Sequence, residues 1–389
     1  MKDKKLETIA IHSGYDAKEM LGSLSTPIFQ TSTFEFNNAE HGAACFTGDE
    51  EGYIYSRLGN PTVKALEEKV AALEGAERGL AFSSGMGAIA AVLIKLTKAN
   101  DHILCSSSLY GCTFDLFSMF QEKYRMTVDY SDLETEEAVR ASLKPETSVI
   151  YVETPINPTM RLVDLAMISK VAKEKGITVV VDNTFSSPYL QRPIDLGCDV
   201  VVHSATKYMN GHGDIIAGVV AGPKDLLDEI AATTQKNVGS IIGAFDAWLL
   251  VRGLKTLPIR MDRHCDNADA IVEHLNQHAK VNTVYHPTND TSGIFEKQMK
   301  RGGGVISFEL KATEAETLAF LNNLSFIKVA VSLGDPESLI EHPASMTHAV
   351  IPEEERTNMG ITPTLLRLSV GLEAADDIWE DLQQALEKL

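Results

Sequence analysis

Cysteine is scarce and unpaired in this chain: five residues in 389, an odd number, at Cys45, Cys105, Cys112, Cys198 and Cys265. No two have the spacing of a metal clip or a small disulfide framework, which leaves reduced thiols as the expectation. His203, His212 and His264 form no zinc pattern, so no metal site is expected. Long apolar runs are also missing. No stretch approaches the ~20 residues that span a bilayer, and the start, Met1 to Glu7, lacks the apolar centre of a secretory signal. A cytoplasmic location is therefore expected. Basic charge is in deficit, with 35 Lys and Arg against 54 Asp and Glu for a net charge of −19. That balance disfavours nucleic acid and anionic membrane as partners, and solubility accounts for it. Internal repeats and low-complexity tracts are absent.

What remains is an ordinary globular composition, 44% apolar and 23% charged, in a chain long enough for two domains. The first sixty residues are rich in turn formers, and Ser23 to Phe36 reads as extended. Such a segment stays ordered only by packing on something, often a neighbouring subunit. Asn60 and Pro61 then open a helix over 60–74 as cap and first residue, with Val63, Leu66, Val70 and Leu73 on one stripe and Gly75 as the stop. Short apolar runs at 101–106, 148–154, 177–182 and 199–203 do not alternate, which predicts strands buried on both faces of a parallel sheet covered by helices. Further helices are predicted around 244–256 and 264–278, a strand over 304–310, and a closing amphipathic helix carrying Ile378, Leu382 and Leu386. The predicted fold is α/β with a smaller α+β C-terminal domain. Its parts are an extended arm over 1–59, a large domain over 60–250 and the C-terminal domain over 251–389.

The chemistry gathers where apolar strands end. Lys207 follows the strand Asp199–Val202, and Asp182 closes the strand Ile177–Val181. A lysine there can form a Schiff base, and an acid beside it can keep a pyridine nitrogen protonated. Ser83-Ser84-Gly85-Met86-Gly87 precedes an apolar helical run, so backbone N–H groups at its start suit a phosphate, with Ser204 and Thr206 facing the same group. Tyr110 can stack on a flat ring and move a proton. Arg367, a polar exception in an apolar run, suits a bidentate clamp on a carboxylate.

In order along the chain, Thr26–Phe34, Tyr55–Thr62, Ser83–Ala88, Glu153–Pro158, Val181–Phe185, Ser204–Tyr208 and His342–His348 resemble the Cys/Met-metabolism family of pyridoxal-phosphate enzymes over nearly the whole chain. That family includes cystathionine lyases and synthases, methionine γ-lyases and homoserine sulfhydrylases. The resemblance implies fold type I, like that of aspartate aminotransferase, with pyridoxal 5'-phosphate as cofactor and a homotetramer of dimers that share active sites. It implies that Lys207 is the Schiff-base lysine and proton shuttle, Asp182 the partner of the pyridine nitrogen, and Tyr110 the stacking ring and acid. Gly85, Met86, Ser204 and Thr206 would hold the phosphate, with Tyr55 and Arg57 reaching in from a neighbour. Asn157, Ser332 and Arg367 would orient the substrate carboxylate.

Two positions separate branches of the family. Cys112, two residues after Tyr110, matches the methionine-cleaving branch, where cystathionine enzymes usually carry glycine. Val331 stands where those enzymes tend to place a glutamate for the distal ammonium of cystathionine, and it suits a short apolar tail instead. Lys236-Asn237 departs from the Lys-Asp common in the methionine branch. The expectation is α,γ-elimination of L-methionine to methanethiol, 2-oxobutanoate and ammonia, with homocysteine and cysteine as further substrates. The alternatives are a cystathionine γ-lyase or homocysteine desulfhydrase, a γ-replacement synthase, and a non-catalytic pyridoxal-phosphate protein.

Overall fold

The computed structural model describes residues 3–349 and 351–389, and the side chains of these except Glu355 and Asn358. Met1 and Lys2, at the start of the expected arm, lie outside the described residues. Seven strands form the large sheet: β1 (Arg78–Phe82), β2 (His102–Ser106), β3 (Thr127–Ser131), β4 (Thr147–Glu153), β5 (Thr178–Asp182), β6 (Val200–Ser204) and β7 (Gly218–Gly222), in the order β1-β7-β6-β5-β4-β2-β3. β3, β2, β4, β5 and β6 pair in parallel, while β7 runs antiparallel to both β1 and β6. β1 and β6 therefore end at the same edge of the sheet. Val179, Val180, Val181, Val200, Val201 and Val202 are all sealed from solvent. Burying each contributes roughly 1.5–3 kcal/mol, which is why these strands lack alternation.

A second sheet combines β8 (Val281–Tyr285), β9 (Val305–Leu310), β10 (Lys328–Val329), β11 (Leu339–Glu341) and β12 (Leu365–Ser369) in the order β10-β11-β12-β9-β8. Only the β10–β11 pair is parallel. The closing helix Ala375–Glu387 lays Ile378, Leu382 and Leu386 on this sheet's core. The protein is thus α/β, with a mostly parallel seven-stranded sheet and a smaller second sheet region.

The first sixty residues hold more helix than expected. α1 spans Leu6–His12 and α2 spans Ala39–Thr47, both too short to show a clear stripe in the sequence. The stretch from Ser23 to Phe36 carries no helix, as predicted. It is tied to its own chain at the start of α3 (Pro61–Glu74). Asn60 caps that helix by accepting from the Thr62 N–H at 2.9 Å, and its Nδ2 donates to the Phe29 carbonyl at 2.8 Å. The Thr62 hydroxyl donates to the Pro27 carbonyl, and Trp248 Nε1 to that of Thr26.

Candidate active site

Strand order reverses between β2 and β4, and in open α/β sheets ligands bind outside the carboxyl ends of the strands at such a point. A cavity of about 340 Å³ lies there. Its lining includes Gly85, Met86, Tyr110, Asn157, Asp182, Ser204, Thr206, Lys207, Val331, Ser332 and Arg367. The sequence had scattered these residues over nearly three hundred positions, and the fold brings them together.

Each arrives for a local reason. Ser84 caps α4 (Gly85–Leu96) by accepting from the Gly87 N–H, so the first backbone N–H groups of that helix are free to face an anion. Gly85 lies against Ser204 so closely that a Cβ on it would sit 2.9 Å from the Ser204 Cβ. Asp182 and Glu153 end neighbouring strands in direct register. Asp182 Oδ1 accepts from the Thr184 N–H and hydroxyl, whereas Oδ2 has only the Tyr151 hydroxyl at 3.4 Å. Burial raises the Asp182 pKa and the Thr184 bonds oppose it. A cation beside Oδ2 would satisfy this carboxylate. Burial and then Arg367 lower the Lys207 pKa, which favours a neutral, nucleophilic amine. Burial and the adjacent Cys112 thiol push Tyr110 up to about 12, so its hydroxyl keeps its proton at neutral pH.

Arg367 comes from β12, in the second sheet. Its Nη1 donates to Asn157 Oδ1 and to Glu341 Oε1, both at 2.9 Å, and its Nη2 donates to the Ser332 carbonyl at 3.1 Å. Ser332 holds φ at +121°, a strained conformation for a side-chain-bearing residue, and it presents that carbonyl. Nε has no partner among the described residues. Of five N–H groups three are committed, leaving the edge formed by Nε–H and one Nη2–H. That edge matches a carboxylate.

Three expected site residues are placed differently. Tyr55 and Arg57 are exposed and outside this chain's own cavity lining, and Arg57 Nη1 donates to the Lys236 carbonyl at 2.8 Å. Cys112 is exposed and borders the Tyr110 hydroxyl rather than lining the cavity. Sequence reasoning missed Glu153, Thr184, Ile216 and Thr347 in the lining, and Glu341 behind it. Glu153 carried the same signal as Asp182, an acid closing an apolar strand.

A family model described as Cys/Met metabolism PLP-dependent enzyme matches residues 7–387. The chain belongs to this family. It is a pyridoxal-phosphate enzyme of the carbon–sulfur lyase type, and the glycine-lined helix start and under-satisfied Asp182 fit that cofactor. An L-methionine gamma-lyase of Fusobacterium nucleatum subsp. nucleatum is 50% identical over 394 residues, covering 100% of both chains. Another L-methionine gamma-lyase, from Pseudomonas putida, is 47% identical and covers 97% of this chain and 96% of its own. The crystal structure of cystathionine gamma-lyase from Lactobacillus plantarum, complexed with L-serine, is similar with a TM-score of 0.92, at 40% identity and 99% coverage of each chain. Members of the Cys/Met family with different substrates thus share this fold.

Proposed function

We propose that this enzyme cleaves L-methionine, with water, to methanethiol, 2-oxobutanoate and ammonia, and acts on homocysteine and cysteine as well. One observation carries the choice of substrate: among the described residues, the cavity lining has no carboxylate for a distal ammonium beyond two that are already assigned. Its carboxyl-bearing lining residues are Glu153 and Asp182, and both are engaged by backbone N–H groups. Val331 and Ile216 are exposed apolar residues in the same lining. A methylthio tail suits them, whereas the distal ammonium of cystathionine would meet apolar side chains there rather than an acid.

In this reading Lys207 would hold the cofactor until the substrate amine replaces it, Asp182 would keep the pyridine nitrogen protonated, and Tyr110 would cover the ring. Gly85, Met86, Ser204 and Thr206 would hold the phosphate, joined by Tyr55 and Arg57 of a neighbouring subunit. When bound, pyridoxal phosphate supplies an electron sink conjugated to the substrate Cα. The free edge of Arg367 grips the substrate carboxylate, with Asn157 and Ser332 fixing the guanidinium. Freed when the substrate amine takes its place, the Lys207 amine would accept the proton from Cα, pass it on, and then accept the one from Cβ. Tyr110, which keeps its proton at neutral pH and has Cys112 beside it, donates to the departing sulfur.

We further propose a homotetramer in which the arm over residues 1–59 serves the neighbour's site, with the cofactor domain over 60–250 and the C-terminal domain over 251–389. The exposure of Tyr55 and Arg57 away from their own cavity supports it. Five free cysteines accord with a reducing, cytoplasmic location.

The test is kcat/KM for methionine against cystathionine. Methionine is expected to be preferred, and a clear preference for cystathionine would overturn the reading. Val331→Glu should move the ratio towards cystathionine by roughly tenfold or more, the scale of one newly paired charge.

A further inference from the structure

Glu153 ends β4 almost wholly buried, yet lines the cavity. Its two oxygens serve two different loops. Oε2 accepts from the Tyr110 N–H at 2.9 Å, and Oε1 accepts from the Asn157 N–H at 3.3 Å. Asn157 is held again by the Ser108 hydroxyl, which donates to its carbonyl at 3.2 Å, and its own Oδ1 accepts from Arg367 Nη1. One continuous chain of contacts thus runs Tyr110–Glu153–Asn157–Arg367, from the residue over the cofactor ring to the residue on the substrate carboxylate.

Both partners of Glu153 are backbone N–H groups, which can only donate. The side chain must therefore accept at both ends. Glutamate does so at this length, whereas glutamine would turn an NH₂ against one of the two donors. The protein keeps a carboxyl here although burial and then Asp182, on the next strand, push it up to about 8. A group retained under such desolvation is there for its geometry.

We propose that Glu153 is a positioning residue that holds the Tyr110 ring and the Arg367 clamp in register, so that cofactor and substrate carboxylate are aligned together. The proposal rests on the roles given above to Tyr110 and Arg367.

The test uses Glu153→Gln and Glu153→Asp holoenzymes, with Arg367→Lys as control. Two quantities are read: the induced circular dichroism of the bound cofactor's visible band, per mole of cofactor, and the Kd for glycine from cofactor absorbance. Glycine carries the carboxylate and amine but no leaving group. Glu153→Gln is expected to bind cofactor, to lose much of the dichroic signal, and to weaken glycine about tenfold, with a matching rise in the KM for methionine. Glu153→Asp keeps both acceptors on a shorter arm and should fall between. A wild-type dichroic signal and glycine Kd in Glu153→Gln would overturn the proposal, even if its Tm drops, because a purely structural role moves Tm alone. Should Glu153→Gln fail to take up cofactor, the same two readings on Glu153→Asp decide. If Arg367→Lys binds glycine like wild type, the clamp assignment is what fails, and dichroism alone then decides on Glu153.

Discussion

Arg367 and Tyr110 show how single side chains are set for opposite tasks in one cavity. Arg367 spends three donors on Asn157, Glu341 and Ser332, which fixes the orientation of its guanidinium in the cavity. Burial and Cys112 raise the Tyr110 pKa far above neutral pH, so its hydroxyl keeps the proton the proposed reaction needs. Tyr110→Phe is therefore expected to lower kcat for methionine by about 10²-fold or more while cofactor content stays the same, measured by 2-oxobutanoate release and cofactor absorbance. Unchanged kcat would remove Tyr110 from the proton path. At this scale the sequence was readable at some polar residues beside an apolar strand end, as at Asp182 and Lys207, although Glu153 gave the same signal and was missed. Glu341 was not readable, because an acid closing β11 looks like any exposed turn residue until Arg367, twenty-six positions later, is seen to share its burial.

Among the elements, α3 carries an unusual load. Lys69 on it is buried with its ammonium donating to the Ala10 carbonyl in the last turn of α1, at 2.7 Å. Burial, and secondarily Lys255, lower its pKa to about 7. The unfolded chain holds that proton up to about pH 10.4. Stability is therefore lost as pH falls from there through 7, and the cost is constant below. Lys69→Met removes the cost. The difference in urea midpoint, variant minus wild type, should be more positive at pH 6 than at pH 9, and equal differences would refute the burial argument. α3 itself was legible from Asn60, Pro61 and Gly75, and so were β4, β5 and β6 from their unbroken apolar runs. β1 and β7 escaped because Arg-Gly-Leu-Ala-Phe and Gly-Val-Val-Ala-Gly carry glycines that mimic turns. β3 escaped because it is a half-exposed edge.

On the scale of the whole molecule, the arm bears apolar side chains in the open, among them Leu21, Leu24 and Leu58, alongside Tyr55 and Arg57. Their exposure is what shared active sites would bury. Arg57→Ala and Lys207→Ala are each expected to be nearly inactive. Co-expressed, they should regain about a quarter of wild-type activity, since half of randomly paired dimers are mixed and each mixed dimer assembles one intact site. If Arg57 serves its own subunit, no mixed dimer has an intact site and nothing is regained. One chain's sequence can suggest such sharing but contains no information on where a second copy sits, so this part of the site was the least legible.

Tyr208, next to Lys207, is sealed between the two sheet regions. Its hydroxyl would lie 2.7 Å from a Cβ on Gly304, and its backbone nitrogen 2.7 Å from one on Gly334. Those two glycines belong to the second sheet region, yet they leave room for the residue that follows Lys207. In a saturation library selected for activity, positions 304 and 334 should come back as glycine, while the acidic surface drifts freely around them. Tight limits on heritable variation are thus expected at two residues outside the cavity lining.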